Sequence, residues 1–245
     1  MSIYDRVSVV GDGDEFRAED PTRGFQGGNE FSIVALVWML DASFSATDEP
    51  FVVLAGGANE GYLFSAGAGG NTVFGSIGTG AALVFPESRT FVAGDIGKAH
   101  RLVLVSSVSA GFARIYTNGL DDGTPAALAA YAPPTPATGY EVLSNPLALG
   151  LQSMELLDMA ILDRALSADD VSDLDVEIMA HGRIPSAWAS WVDLYRPERL
   201  VGHPHVWDRG GQNAGRGMVC RTGPAASTLG TPTLRSRRIT AWGGF

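Results

Sequence analysis

The chain has little cysteine, almost no lysine and no long apolar run. Its single cysteine, Cys220, excludes an intramolecular disulfide and a cysteine-based metal cluster. Lysine occurs only at Lys98 among 17 basic residues. The longest apolar run, Ile33 to Leu40, is too short to cross a bilayer. No apolar signal core follows the N-terminus, so we expect neither a secretory signal nor a membrane partner.

Glycine and short polar residues divide most of the chain into short apolar segments. The 245 residues include 31 glycines, and turn residues recur about every eight to twelve positions, as sandwiches and barrels require. Strands are predicted at 31–40, 51–54, 62–65, 72–77, 81–85, 102–105 and 112–116. Asn118-Gly119 predicts a tight type I′ turn. The pattern therefore indicates an all-β protein.

One strand followed by one short helix ends this β-rich region. Glu155 to Leu162 predicts a strand, with Leu157, Met159 and Ile161 on one side. Ser167 is the predicted N-cap of a helix, and Asp170 completes a capping box with it. The helix is expected to turn Val171, Leu174 and Ile178 inward and to end at Gly182.

This strand and helix carry a resemblance to a known family. The run Met159-Ala-Ile-Leu-Asp-Arg-Ala-Leu-Ser-Ala-Asp-Asp-Val171 resembles the closing motif of laminin G-like domains. Three further landmarks of that family occur in the expected order, at Gly11 to Phe16, at Phe31 to Trp38, and at Lys98 to Leu104 followed by Arg114 to Gly119. Ala99 departs from the family tryptophan, and Asn118 replaces its aspartate.

The resemblance implies the fold and the domain limits. We expect a two-sheet antiparallel jelly-roll sandwich of the concanavalin A-like type, with one short α-helix and an extended C-terminal arm. The jelly roll is predicted at 1–182 and the arm at 183–245. His205 to Asn213 resembles a segment that normally precedes a laminin G-like domain. The arm therefore either supplies edge strands to its own sandwich or reaches a neighbouring subunit.

Charge divides the chain into an acidic body and a basic arm. From residue 196 onward, eight arginines oppose Glu198 and Asp208, so this part carries +6 and residues 1–195 carry −16 of the net −10. A basic arm suits docking on an acidic surface, and local composition bias is an equal alternative. The docking residues predicted for an inter-subunit contact are Arg235, Arg237, Arg238, Trp242 and Phe245. The acidic body argues against nucleic acid as a partner.

Few residues suggest chemistry. Asp12 and Asp14 stand in a glycine loop and are candidates for calcium, but a structural turn explains them better, and no other cofactor or metal is expected. Glycosidases of the laminarinase type need carboxylates side by side on one strand. The only such string, Asp173 to Glu177, lies on the predicted helix, where a solvated face explains it better.

Three functions follow from these observations. The main hypothesis is a non-enzymatic structural and adhesive protein, a virion component such as a capsid decoration or tail-associated protein that assembles in the host cytoplasm. Its partners would be copies of itself or capsid and tail proteins. The alternative is a carbohydrate-binding, lectin-like module, whose candidate residues for stacking on sugars are Trp188, Trp191 and Tyr195. A glycoside hydrolase is the third hypothesis.

Overall fold

The protein is mostly β-structure. The structure, a computed structural model, describes residues 4–10, 15–18, 25–44, 49–67, 70–135, 139–142, 153–186, 191–195, 206–207, 218–222, 228–229 and 233–243. The strands of these residues are β1 Tyr4–Val10, β2 Glu15–Ala18, β3 Glu30–Met39, β4 Glu49–Ala55, β5 Gly61–Gly67, β6 Thr72–Gly78, β7 Leu83–Val84, β8 Ala99–Ser107, β9 Phe112–Thr117, β10 Ala126–Ala127, β11 Gly139–Val142, β12 Met154–Leu162, β13 Trp191–Tyr195, β14 Val206–Trp207, β15 Met218–Thr222, β16 Thr228–Leu229 and β17 Thr233–Ile239. One α-helix, α1, spans Ala168–His181.

Two antiparallel sheets form the sandwich that the laminin G-like resemblance implies. The eight-stranded sheet has the order β10-β9-β8-β3-β12-β1-β17, and β13 also pairs with β12. The nine-stranded sheet has the order β14-β15-β2-β11-β4-β5-β6-β7, and β16 pairs with β15. Many neighbours in each sheet are distant in sequence, so the sheets depend on long-range pairing.

Strand β3 is apolar on both faces because each face packs against a different core. Phe31, Ile33 and Ala35 belong to the core between the two sheets. Val34 and Leu36 belong to a second core, formed between the eight-stranded sheet and helix α1. A strand that is covered on both sides has no polar face, and its side chains therefore read as one continuous apolar run.

A bulge in β12 changes one prediction. The sequence places Leu157 on the same face as Met159 and Ile161, but the pairing of β12 with β3 shifts between Leu156 and Asp158. Beyond this irregularity the alternation changes phase, so Leu156 joins the core between the sheets and Leu157 joins the core under the helix. The prediction for Leu157 is therefore wrong.

Helix α1 begins and ends where the sequence predicts. Ser167 accepts a hydrogen bond from the amide of Asp170, and the Asp170 carboxylate accepts one from the amide of Ser167. Gly182 closes the helix in the left-handed conformation, at φ 66°. The expectation that the acidic residues of this helix all face solvent is wrong for Asp175, which is buried on the inner side of the helix. Within the described residues, no helix has the length and hydropathy that crossing a bilayer requires.

Strands from residues 183–245 extend the edges of both sheets. β17 pairs antiparallel with the whole of β1, from Tyr4 opposite Ile239 to Val10 opposite Thr233. β15 pairs with β2, and β13 pairs with β12. The described strands of the arm therefore pair with strands of their own sandwich, which is the first of the two alternatives.

Candidate functional site: a depression between two loops

A surface depression lies between two loops at one end of the eight-stranded sheet. One loop, residues 85–98, joins β7 to β8 and contains a 3₁₀ turn at Ala93–Asp95, and the other, residues 118–125, joins β9 to β10. The depression has a volume of about 350 Å³ and is lined by Arg89, Val92, Asp95, Lys98, Leu120 and Asp122. We call it the Arg89 depression.

Backbone contacts hold the two loops together. The amide of Glu87 donates to the carbonyl of Thr124 at 2.9 Å, and the amide of Thr124 donates back at 2.8 Å. Gly123 lies so close to this bridge that a Cβ there would stand 2.1 Å from the carbonyl oxygen of Glu87. Only glycine therefore allows the loops to approach this closely. The loops are positioned by the fold before any ligand arrives.

Arg89 organises the charged part of the depression. Its guanidinium donates two hydrogen bonds to Asp95, at 2.9 and 2.8 Å, in the bidentate geometry that fixes both groups. Its Nε lies 3.3 Å from Asp122 in the opposite loop. The guanidinium also lies over the ring of Phe91, 4.8 Å from its centre. The amide of Val92 donates to the same Asp95 carboxylate at 2.9 Å.

The two carboxylates of the depression respond to their surroundings in opposite ways. Burial raises the pKa of Asp95, but hydrogen bonds from Arg89 and from the amide of Val92 outweigh it and lower the pKa overall. Burial raises the pKa of Asp122, and the nearby positive charge of Arg89 offsets this effect only in part. Asp95 is therefore held as a carboxylate, whereas Asp122 takes up a proton more readily than an ordinary aspartate.

Apolar side chains stand beside these charges. Val92 is 57% exposed and Leu120 is 41% exposed, one on each loop. Lys98, which is half-buried, completes the lining where β8 begins. The depression thus combines fixed polar groups with apolar surface, which is the composition of a site for a small polar ligand.

His100 supports the depression from behind. It is fully buried, its Nε2 lies 3.1 Å from the carbonyl oxygen of Asp95, and its ring packs edge-on against Phe91. Asn118 accepts from the amide of Arg101 through its Oδ1, so its Nδ2 is the group that faces His100 Nδ1 at 3.3 Å. This arrangement selects the tautomer with the proton on Nε2. Burial lowers the pKa of His100 to about 4.

A second arginine lies next to His100 in the fully buried core under helix α1. Arg101 donates to Asp175 of the helix at 2.7 and 3.0 Å. Its guanidinium also donates to the carbonyl oxygen of Gly243 at 3.3 Å and lies 5.3 Å from the ring of Trp242. This network joins β8, α1 and the C-terminal residues.

The predicted docking residues lie along the same C-terminal segment. Arg237 donates to the buried Glu155 at 2.5 and 2.6 Å, and Trp242 packs against the core under the helix. Arg238 is exposed. Arg235 pairs through its backbone with Ser8, and Phe245 lies outside the described residues. Docking of this set to another subunit stays a prediction.

The other predicted site residues do not come together with the Arg89 depression. Trp191 and Tyr195 belong to β13, whose backbone pairs with β12, and nothing further is described of them. Trp188, Asp12 and Asp14 lie outside the described residues. In the part of the chain that the structure describes, no three His, Cys, Asp or Glu side chains are grouped to hold a metal ion.

In the sequence, Lys98 stands out as the single lysine, but nothing there assigns it to a site. The remaining residues of the depression are ordinary loop residues in the sequence, about 25 to 35 positions apart between the two loops. The pairing of β8 with β9 and the Glu87–Thr124 bridge between the loops bring Arg89 and Asp122 together. No local motif marks them.

A smaller depression lies on the outer face of the other sheet. Its volume is about 220 Å³, and Val53, Leu63 and Leu83 line it together with the β4–β5 loop. Glu60 of that loop accepts hydrogen bonds from the amides of Gly57 and Thr135, so it serves to hold the loop. Among the described residues that line it, this depression has no cation and no pair of carboxylates.

Comparison with known proteins identifies the fold. No protein-family model and no curated protein sequence matches the chain. A candidate carbohydrate-binding protein from Bacteroides ovatus matches with a TM-score of 0.59 and 10% identity, over 96% of this chain and 60% of its own. The NanB sialidase from Streptococcus pneumoniae matches with a TM-score of 0.53 and 12% identity, over 69% of this chain and 27% of its own.

A third similar structure is an isolated domain. The CBM40 domain of the Ruminococcus gnavus IT-sialidase, solved with bound α2,3-sialyllactose, matches with a TM-score of 0.51 and 9% identity, over 71% of this chain and 98% of its own. The chain has a jelly-roll sandwich fold. At these identities the likeness concerns the fold alone.

Proposed function

We propose that this protein is a carbohydrate-binding, lectin-like module whose glycan docks in the Arg89 depression. The observation that carries the proposal is the pairing of Arg89 with Asp95 and Asp122 beside the exposed side chains of Val92 and Leu120. A sugar ring offers hydroxyl groups on its edge and C–H groups on its faces. Fixed carboxylate and guanidinium groups suit the hydroxyls, and an apolar neighbour suits the C–H face.

Preorganisation favours binding at this site. The Arg89–Asp95 pair is held by two hydrogen bonds, by the ring of Phe91 and by the amide of Val92, so little side-chain freedom is lost when a ligand arrives. Asp122 approaches from the other loop and is the more accessible carboxylate. The fold adds support by analogy, since the similar structures include a carbohydrate-binding domain and a candidate carbohydrate-binding protein.

The same depression argues against a glycoside hydrolase. Carboxylates whose pKa values move apart are typical of an acid and base pair, and Asp122 and Asp95 follow that trend. However, both oxygens of Asp95 already accept hydrogen bonds, and its side chain is only 9% exposed. A nucleophile or general base needs an oxygen that can reach the substrate. We therefore propose that the module is non-enzymatic.

The virion hypothesis has less support. It rests on the basic, aromatic-tipped C-terminal segment and on the laminin G-like resemblance, which stay predictions. The three similar structures described above are a sialidase, a sialidase domain and a candidate carbohydrate-binding protein, and none is a virion protein. A virion protein and a protein outside a virion could both bind glycans, so the carbohydrate-binding proposal does not depend on the virion hypothesis.

A glycan array followed by calorimetric titration tests the proposal. We expect at least one glycan class to bind, and Asp122→Asn to weaken that binding about tenfold, because a hydrogen bond to a charged group contributes about 1.5–3 kcal/mol. Asp121→Asn is the matched control, because Asp121 pairs with Arg114 and does not line the depression.

Two results would overturn the proposal. If no glycan on the array binds, the proposal of a carbohydrate-binding function is wrong. If Asp122→Asn, Asp121→Asn and the unchanged protein bind a glycan with equal affinity, the protein binds carbohydrate but not in the Arg89 depression.

A further inference from the structure

Within the part of the chain that the structure describes, Lys98 is the one cation lining the Arg89 depression that has no partner. Among the described residues, its ammonium group makes neither a hydrogen bond nor an ion pair. It is also the only lysine of the chain, among 17 basic residues. The backbone around it is held in place, since the amide of Met39 donates to the carbonyl of Lys98 at 3.0 Å and the amide of Gly97 donates to the carbonyl of Met39 at 2.9 Å. The side chain alone is uncommitted.

The other charged groups of the depression contact one another. Arg89 donates to Asp95, to the carbonyl of Thr90 and toward Asp122. Asp95 accepts from Arg89 and from the amide of Val92. The two carboxylates therefore share one guanidinium, which leaves one negative charge over, and Lys98 brings these four groups to neutrality. Within the described part of the chain, Lys98 is nevertheless the charged group of this lining that no other side chain contacts, so its ammonium is open to a ligand.

We propose that the glycan of this site is acidic and that its anionic group pairs with Lys98. This inference rests on the proposed function, because it names the class of sugar that the Arg89 depression takes. Asp122 and Arg89 would bind the hydroxyls of the ring, and Lys98 would bind a carboxylate or a sulfate on the same or the next sugar. A lysine ammonium is a compact point charge on a flexible stem, so it accepts either anion.

The acidic body of the protein does not prevent this pairing. Residues 1–195 carry −16, and this charge repels an anion at long range. At physiological ionic strength, however, charges separated by more than about 8 Å are largely screened. Direct contact with a half-buried ammonium lies well inside that distance, so the preference depends on the depression itself, whose two carboxylates and two cations sum to zero, and not on the distant body.

Matched pairs of sugars test the inference by calorimetric titration. The pairs are oligogalacturonate with its methyl ester, sialyllactose with lactose, and sulfated lactose with lactose. We expect the acidic member of at least one pair to bind at least about tenfold more tightly, which corresponds to about 1.4 kcal/mol. The carboxylated and sulfated pairs show which anion is preferred. The advantage should shrink as salt is raised, because salt screens the ion pair.

Two variants separate the charge from the shape of Lys98. K98Q should abolish the advantage of the acidic sugar, measured as the ratio of its affinity to that of the neutral sugar, whereas K98R should keep most of that ratio. Neither should alter the thermal unfolding midpoint, because the ammonium makes no contact that holds the described fold.

The outcomes distinguish this inference from the proposed function. If neutral and acidic sugars bind equally, or if K98Q retains the advantage of the acidic sugar, the inference is wrong. If Asp122→Asn still weakens neutral-sugar binding in that case, the proposed site stands. If no sugar of any pair binds, the inference fails, and the glycan array alone decides whether the proposed function stands.

Discussion

Two arginine–aspartate pairs lie near His100, and their surroundings give them different roles. Arg101 and Asp175 are 1% and 5% exposed, and they join β8 to helix α1 beneath the C-terminal residues. Arg89 and Asp95 are 24% and 9% exposed, and they line an open depression between two loops. The residue types are the same in both pairs. Access to solvent decides whether such a pair supports the fold or is also available to a ligand.

The largest expected effect is the loss of the buried pair. Asp175→Ala leaves the Arg101 guanidinium buried without its carboxylate, and removing one partner of such a pair costs about 3–5 kcal/mol. Urea denaturation gives the free energy of unfolding. Asp173→Ala on the exposed face of the same helix is the control and should change it by less than about 0.5 kcal/mol. Equal midpoints for the two variants would show that the buried pair does not hold the helix.

The next effect concerns His100, which lies between the two pairs. Its pKa is about 4 in the folded protein, against 6.5 for an exposed histidine. Between these values the unfolded chain binds more protons than the folded chain. Protonation therefore favours the unfolded chain in this range. The free energy of unfolding that depends on a neutral His100 is fully present above pH 6.5 and falls by about 3 kcal/mol as the pH is lowered to about 4.

Urea denaturation across this pH range measures the loss. His100→Gln cannot titrate, so the difference in stability between the two proteins should narrow by about 3 kcal/mol from pH 7 to pH 4. The slope with pH is the readout, and the absolute stability of the variant does not enter it. Parallel stability curves for the two proteins would contradict a buried, neutral His100.

The smallest effect on stability is expected at the open pair. Arg89→Leu should cost about 1–2 kcal/mol, because Asp95 keeps the hydrogen bond from the amide of Val92 and solvent reaches the depression. The same variant should weaken glycan binding at least about tenfold, whereas Arg114→Leu, at an exposed pair outside the depression, should leave binding unchanged. If Arg89→Leu were as damaging as Asp175→Ala, the contrast between the two pairs would disappear.

Local structure could be predicted where a few neighbouring residues decide the backbone. Ser167 and Asp170 form the capping box of α1, and Gly182 ends the helix, as their sequence positions indicate. Asn118 and Gly119 adopt φ values of 55° and 81°, as a type I′ turn requires. These conformations follow from hydrogen bonds and steric limits within a few residues of the chain.

Predictions failed where distant parts of the chain meet. Leu157 lies on the other face because β12 bulges where it pairs with β3, and no residue of β12 indicates this bulge in the sequence. Asp175 looks like part of a solvated acidic helix face until Arg101, 74 positions away, is brought beneath it. Arg89 and Asp122 likewise belong to loops that carry no motif.

By itself, the sequence determined the all-β class, the capped helix and the hairpin turn, because apolar periodicity, caps and positive-φ residues act over short distances. The sandwich was expected from the laminin G-like resemblance. Only the tertiary structure decided which charges are buried and which remain open. Strand pairing across the chain places Arg101 under a helix and Arg89 beside solvent, and the free energy of a charge depends on that surrounding far more than on its neighbours in sequence.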